Sequence, residues 1–206
     1  VDGDTHKPLG EIPEAPYTYN VVGNINEHQV AITETTFGGR EELWPKNPVG
    51  GIDYVSLMAL GLQRAKTARE AIRVMTDLVA RYGYASEGES FSVADSAKGA
   101  VWVAVRIPDD CISAHANQSR IHRFNLKDKK NVMYAKDVIS FARSKGYFKG
   151  RDDEFSFSDA FAPADFSSQR FCEARVWSLF NHFTTGMDKY VPFVDGKHIG
   201  TSEVMP

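Results

Sequence analysis

Apolar and polar residues alternate between Tyr17 and Thr36, which predicts two β-strands at 18–23 and 28–36. The residues Asn24–Glu27 between them predict a hairpin turn. After Thr36 the alternation ends in Phe-Gly-Gly, and a stretch rich in Gly and Pro follows, GGREELWPKNPVGGID. This stretch predicts a loop at the end of the second strand.

A helical period then predicts two helices, at 52–64 and 67–82. Thr67 and Glu70 form a capping box at the start of the second helix, and Gly83 occupies its C-cap position. The apolar stripe of this second helix consists of Ala68, Ile72, Met75, Leu78 and Val79.

The second half of the chain predicts two buried strands, Gly99–Ile107 and Ile112–Ala116, around the turn Pro108–Asp110. Helices are predicted at Lys136–Lys145 and Ser167–Phe183. The core side of the longer helix is predicted to carry Phe171, Val176, Leu179 and Phe180. Because strands and helices come in blocks rather than in strict alternation, the sequence indicates an α+β fold.

Composition narrows the class of protein. The 206 residues, 42% of them hydrophobic, are enough for one domain with a real core. A net charge of -3 and a pI near 6.1 exclude a strong basic surface for nucleic acid, and no apolar run has the length of a membrane span. The two cysteines leave the redox compartment open; Cys111 is interpreted as a bystander thiol rather than a nucleophile, and Cys172 as a core residue.

Two other candidate sites have simpler explanations. His115 and His122 lack a further ligand pair at a familiar metal-site spacing, so no metal site is predicted. Gly38-Gly39 and Gly50-Gly51 lack the spacing of a phosphate loop and are interpreted as turn glycines.

Two polar clusters carry more specific chemistry. In HANQSR, Asn117 and Gln118 follow an apolar strand, where amides are costly to bury and make good oxyanion donors. In DFSSQRFCEAR, Arg170 is predicted in the first turn of a helix, where the helix dipole disfavours a cation and a partner is expected. Turn-stabilising amides and a surface ion pair remain the alternative explanation.

Four segments, in order, resemble the dipeptidase A family of N-terminal-nucleophile cysteine peptidases, relatives of penicillin V acylase and bile-salt hydrolase. Together they cover nearly all of the chain from Tyr17 onward. The segments are YNVVGNINEHQVAITETTFGGREEL, GIDYVSLMALGLQRAKTAREAIRVMTDLVARYGYASEGESFSVAD, KGAVWVAVRIPDDCISAHANQSRI and FCEARVWSLFNHFTTGMDKYVP.

The resemblance implies a four-layer αββα sandwich and a bacterial peptidase without a cofactor. Its nucleophile would be a cysteine that becomes the first residue of the mature protein, and its α-amino group would act as the base. Because residue 1 is Val, that cysteine is expected upstream of Val1. Residues 1–206 are therefore expected to be one hydrolase domain that lacks N-terminal strands and a segment near 95–98.

The resemblance also implies three catalytic residues, Asn117, Arg170 and Thr36. Asn117 matches the family's second site asparagine and Arg170 its arginine, whereas Thr36 stands where the family has its first asparagine. ETTFGG is then expected to form one wall of the active-site mouth. The residues expected to contact substrate are Glu34, Gly38 and Gln118.

The implied function is hydrolysis of short peptides, with dipeptides as substrates, no nucleic-acid partner and no membrane span. Two alternatives stay open: an amide hydrolase for acylated small molecules, and a catalytically inactive binding homologue. The sequence leaves open whether the protein is exported, periplasmic or cytoplasmic, and whether it forms a homo-oligomer.

Overall fold

The chain forms two compact units in a computed structural model. The first consists of Val1–Glu34 and Leu43–Ile112, and the second of Thr35–Glu42 and Ser113–Pro206. The structure describes residues 6–8, 10–44, 50–96, 101–103, 105–107, 116–119, 121–183, 193–194 and 197–198.

A six-stranded sheet, with its strands ordered as they occur in the chain, dominates the first unit. The pairs β1–β2, β2–β3, β4–β5 and β5–β6 are antiparallel, and β3 continues from the first unit into the second. The strands are β1 (Val21–Val22), β2 (Ile25–Asn26), β3 (Ala31–Gly38), β4 (Gly88–Ala94), β5 (Val101–Val103) and β6 (Val105–Ile107).

The predicted turn Asn24–Glu27 is wrong, because its middle residues form β2 and pair with β1. The reason is Asn26, whose side chain is buried and donates to two backbone carbonyls, Leu62 O at 2.8 Å and Ala65 O at 2.7 Å. These bonds hold Asn26 against a helix end, so the chain turns earlier, at Gly23 with φ 56°.

The two predicted helices of the first unit are confirmed as α1 (Tyr54–Arg64) and α2 (Ala68–Tyr82). Thr67 Oγ1 accepts the Glu70 N–H, and the N–H of Gly83 donates to Val79 O, as the capping signals indicated. The buried residues of α2 are Ala68, Ala71, Ile72 and Met75. Helices and sheet together confirm the α+β class.

The single predicted strand Gly99–Ile107 is wrong. Its described residues form β5 and β6, which pair with each other as antiparallel strands. In this pairing, Val101 is opposite Ile107. A continuous apolar run does not mark a reversal of direction, so the pattern could not separate the two strands. The predicted strand Ile112–Ala116 lies outside the described residues except for Ala116.

The second unit is mainly helical, with a short hairpin of β7 (Phe193–Val194) and β8 (Lys197–His198). Its helices are α3 (Val138–Ser144), α4 (Phe157–Phe161), α5 (Phe166–Ser168) and α6 (Ala174–Phe183), and the π-helical segment Gln169–Glu173 joins the last two. Ile139, Ala142, Phe155 and Ala160 form the buried centre of an aromatic-rich core.

The long predicted helix Ser167–Phe183 is helical throughout, but its predicted core side is only half right. Val176 and Phe180 are buried, whereas Phe171 is 61% and Leu179 47% exposed. The wider π-helical turn changes the register, so the buried face before Val176 is formed by Gln169 and Glu173.

Candidate active site

The end of β3 forms the strand wall, which we define as Thr36–Arg40 in the second unit. Gly38 and Gly39 both have positive φ, 69° and 77°, and the Gly39 N–H donates to Phe37 O at 2.8 Å. A Cβ at Gly39 would lie 3.0 Å from the Phe37 ring and 3.1 Å from Phe161 O. The glycine pair is therefore required by this sharp turn, as the sequence predicted.

Asn117 and Gln118 form the amide wall, and Asn117 contacts the strand wall directly. Its Nδ2 donates to the backbone carbonyl of Thr36 at 2.8 Å. Two of the three predicted catalytic residues therefore lie together, although Thr36 provides its carbonyl in this contact. Asn117 is exposed and has a φ of 42°, an uncommon conformation for a residue other than glycine.

Arg175 determines the orientation of the Asn117 amide. Its Nη2 donates to Asn117 Oδ1 at 2.7 Å, and its Nε donates to Phe171 O at 2.5 Å. Because a guanidinium only donates, the oxygen of Asn117 must face Arg175. One N–H of the amide is used by Thr36 O, and the second has no acceptor within the part of the chain that the structure describes.

Arg170 lies elsewhere than the sequence predicted. The helix begins at Phe166, with Asp165 Oδ1 accepting the Ser168 N–H, so Arg170 is in the π-helical segment and not in the first turn. Its guanidinium carbon lies 5.8 Å from the centre of the Phe171 ring. The arginine that bonds to Asn117 is Arg175 instead, which the sequence pattern did not indicate although both arginines are in QRFCEAR.

Gln118 follows Asn117 but points into the protein. Its side chain is 5% exposed, and Nε2 donates to Ala162 O at 2.5 Å. Gly38 lies in the strand wall, as expected from its position in ETTFGG.

Glu34 lies on the part of β3 that belongs to the first unit. Burial raises the pKa of the nearby Tyr84 phenol far above its ordinary value, and the carboxylates of Glu89 and Glu34 raise it further. Tyr84 therefore stays protonated at neutral pH.

A second polar group surrounds His122, whose Nδ1 lies 3.6 Å from Asp159 Oδ1 and 3.5 Å from Ser156 Oγ. The contact with His122 lowers the pKa of the Asp159 carboxyl. Because the hydroxyl and the carboxylate approach the same ring nitrogen, this is not the arrangement of a catalytic triad. His115, which the sequence analysis considered together with His122 as a metal ligand, lies outside the described residues.

The described residues contain no group of three His, Cys, Asp or Glu side chains that could hold a metal ion. Among the same residues, no helix combines the length and apolar character needed to cross a membrane.

Comparison with known proteins identifies the family. The profile of peptidase family C69 matches residues 2–206. The chain belongs to peptidase family C69. This membership agrees with the resemblance to dipeptidase A that the four segments of the sequence indicate.

Several curated bacterial relatives carry dipeptidase names. A probable dipeptidase of Salmonella dublin is 28% identical over 174 residues, which are 79% of this chain and 40% of that protein. A probable dipeptidase of Latilactobacillus sakei is 28% identical, covering 84% of this chain and 38% of the relative. Dipeptidase A of Lactobacillus helveticus is 26% identical, covering 82% and 40%. The chain thus spans about two fifths of the length of these relatives.

Proposed function

We propose that the intact protein is a dipeptidase that uses an N-terminal cysteine as its nucleophile. The observation that supports this most directly is the contact between the two walls, in which Thr36 and Arg175 hold the Asn117 amide. Its second N–H has no acceptor among the described residues and is proposed to donate to a ligand. The C69 family and the names of the relatives support the peptide substrate.

The proposed chemistry needs no group beyond the protein and water. The cysteine sulfur bonds to the amide carbonyl carbon while its proton moves to the α-amino group, whose ordinary pKa is about 8. The remaining N–H of Asn117 donates to the oxyanion of the tetrahedral intermediate. The proton then passes to the leaving nitrogen as the C–N bond breaks, and water hydrolyses the thioester to release the acid and restore the thiol.

Arg175 and Arg170 have different roles in this proposal. Arg175 orients the oxyanion donor, and its positive charge polarises the amide toward stronger donation. Arg170 is exposed and is proposed to bind the carboxylate of the dipeptide, because a guanidinium pairs with a carboxylate through two parallel hydrogen bonds. In the same proposal, Gly38 contacts substrate, and Thr36 shapes the mouth.

The architecture is also part of the proposal. We propose that the nucleophile lies outside residues 1–206, because the cysteines within them are Cys111 and Cys172, and Cys172 is in a helical segment. Both units would belong to one αββα hydrolase domain of a longer chain.

The experiment is a steady-state assay of the intact protein with a panel of dipeptides and N-acylated amines. We expect dipeptide hydrolysis, and we expect Asn117→Ala to lower kcat roughly 10²–10³-fold with little change in KM, because one oxyanion donor is lost. Asn24→Ala, on an exposed turn of the first unit, is the matched control. If the protein hydrolyses N-acylated amines and no dipeptide, its function is that of an acylase and the proposal is wrong. An unchanged kcat in Asn117→Ala would show that Asn117 takes no part in the chemistry.

A further inference from the structure

We infer that α4 is a common support that holds both walls of the candidate site, and that Gln118 and Arg40 are the positioning residues through which it acts. The inference rests on the proposed function. It gives a positioning role to Gln118, for which the sequence predicted substrate contact, and to Arg40, for which the sequence predicted no role.

The amide wall is joined to α4 on the C-terminal side of Asn117. Gln118 donates to Ala162 O at the C-cap of α4, and the buried Ser119 hydroxyl accepts from Ser158 Oγ at 3.0 Å. The Ser158 N–H also donates to Ile121 O at 2.8 Å. Because Asn117 has a positive φ, its conformation depends on neighbours that hold the chain on either side.

The strand wall is joined to the same helix. Arg40 Nε donates to Ala160 O at 2.6 Å, and its guanidinium carbon lies 4.0 Å from the centre of the Tyr147 ring. Gly39 comes so close to Phe161 O that no side chain fits between them without a shift of the backbone. Arg40 Nη1 also lies 3.6 Å from Glu42 Oε1, so three contacts fix the guanidinium of Arg40.

Three successive carbonyl groups of α4 and its C-cap thus contact the two walls. Ala160 O binds Arg40, Phe161 O lies against Gly39, and Ala162 O binds Gln118. The helix itself is packed in the aromatic core, where the Phe161 ring contacts Phe155 and Phe157. A shift of α4 would change the separation between Asn117 and Thr36, and misplacement by about 1 Å can lower a rate roughly 100-fold.

The first test is kinetic and uses Gln118→Met, Arg40→Met and the double variant in the intact protein. Methionine keeps much of the length of each side chain and removes its donors. We expect each single variant to lower kcat about 10- to 100-fold with KM within about threefold, and the double variant to lose less than the product of the two, because both act through one element. Gln63→Met and Arg73→Met are the matched controls and should keep wild-type kcat.

The second test does not depend on activity. The side-chain amide signals of Asn117, assigned by their loss in Asn117→Ser, are compared by ¹H–¹⁵N NMR. We expect them to shift in Gln118→Met and in Arg40→Met and to stay in place in both controls. If Gln118→Met does not fold, Gln118→Asn replaces it, because a side chain shorter by one methylene cannot reach Ala162 O from the same backbone.

Unchanged Asn117 signals in the variants of both walls would overturn the inference. A wild-type protein that hydrolyses no dipeptide would contradict the proposed function, and the NMR comparison would still decide the role of α4. Wild-type activity that is abolished by Asn117→Ala but unaffected by Gln118→Met and Arg40→Met would overturn the inference alone.

Discussion

At the scale of single residues, the identity of the arginine that reaches Asn117 decides how the site works. Arg175 bonds Phe171 O and Asn117 Oδ1 at once, through two different nitrogens of one planar group. A lysine carries a single nitrogen and cannot occupy both positions.

We therefore predict that Arg175→Lys lowers kcat at least about tenfold, because the amide of Asn117 loses its fixed orientation. Arg170→Lys should leave kcat near the wild-type value and raise KM for dipeptides, because a lysine pairs less well with a carboxylate. Steady-state kinetics of the two variants side by side test both statements. The reverse pattern, a loss of kcat in Arg170→Lys alone, would restore Arg170 to the role that the sequence predicted for it.

The buried side chain of Asn26 contributes to the stability of the first unit. Its amide group donates to Leu62 O and Ala65 O, and its Oδ1 accepts from the N–H groups of His28 and Val30, each at 3.0 Å. Three of these four bonds are buried and the bond from His28 is partly buried, and the Asn26 residue itself is 5% exposed.

We predict that Asn26→Asp lowers the free energy of unfolding by about 3 kcal/mol or more, because a buried carboxylate cannot donate to the two carbonyls. Urea unfolding at pH 7 measures the loss, with the exposed Asn24→Asp as the control. A loss below about 1 kcal/mol, equal to that of the control, would show that the bonds of Asn26 are dispensable.

At the scale of secondary-structure elements, the sequence predicted correctly the helix ends that depend on interactions between neighbouring residues. The capping residues Thr67 and Gly83 placed the ends of α2 correctly, because each acts within a few residues of its own position. The π-helical segment and β2 were missed, since the first depends on packing of the whole helix and the second on contacts of Asn26 with residues 36 and 39 positions away. The five-residue helix α4 was also missed, because it is too short for a helical period to show.

The attachment of α4 to the His122 segment is predicted to depend on pH. The contact with His122 lowers the pKa of Asp159 in the folded protein, so its stabilising effect is complete above the unfolded value of about 3.9 and is lost as the pH falls through the folded value. The effect should stay below about 1 kcal/mol, because the carboxylate side chain is 75% exposed.

Asp159→Asn should therefore reduce the free energy of unfolding at pH 6 and make no difference below about pH 3. Urea unfolding of the wild type and the variant across this range is the measurement. Equal stability of the two proteins at pH 6 would show that the contact between Asp159 and His122 contributes nothing to the fold.

At the scale of the whole molecule, the family and the α+β class could be predicted from sequence, because the four segments match over most of the chain. The position of the candidate site could be predicted only in part. Asn117 and Thr36 were placed together correctly, whereas the inward direction of Gln118 and the contact of Arg175 depend on α4 and on the π-helical segment. The helix α4 has only the Ser156 N-cap as a local signal, and its five residues are too few for a helical period to show.

Intact mass together with N-terminal sequencing of the purified full-length gene product shows whether the mature protein begins with the proposed nucleophile. We predict a mature chain whose first residue is a Cys that precedes Val1, and loss of dipeptidase activity when that thiol is alkylated. A mature chain that begins with any other residue would contradict the account, because no α-amino group would then lie beside a cysteine thiol to serve as its base.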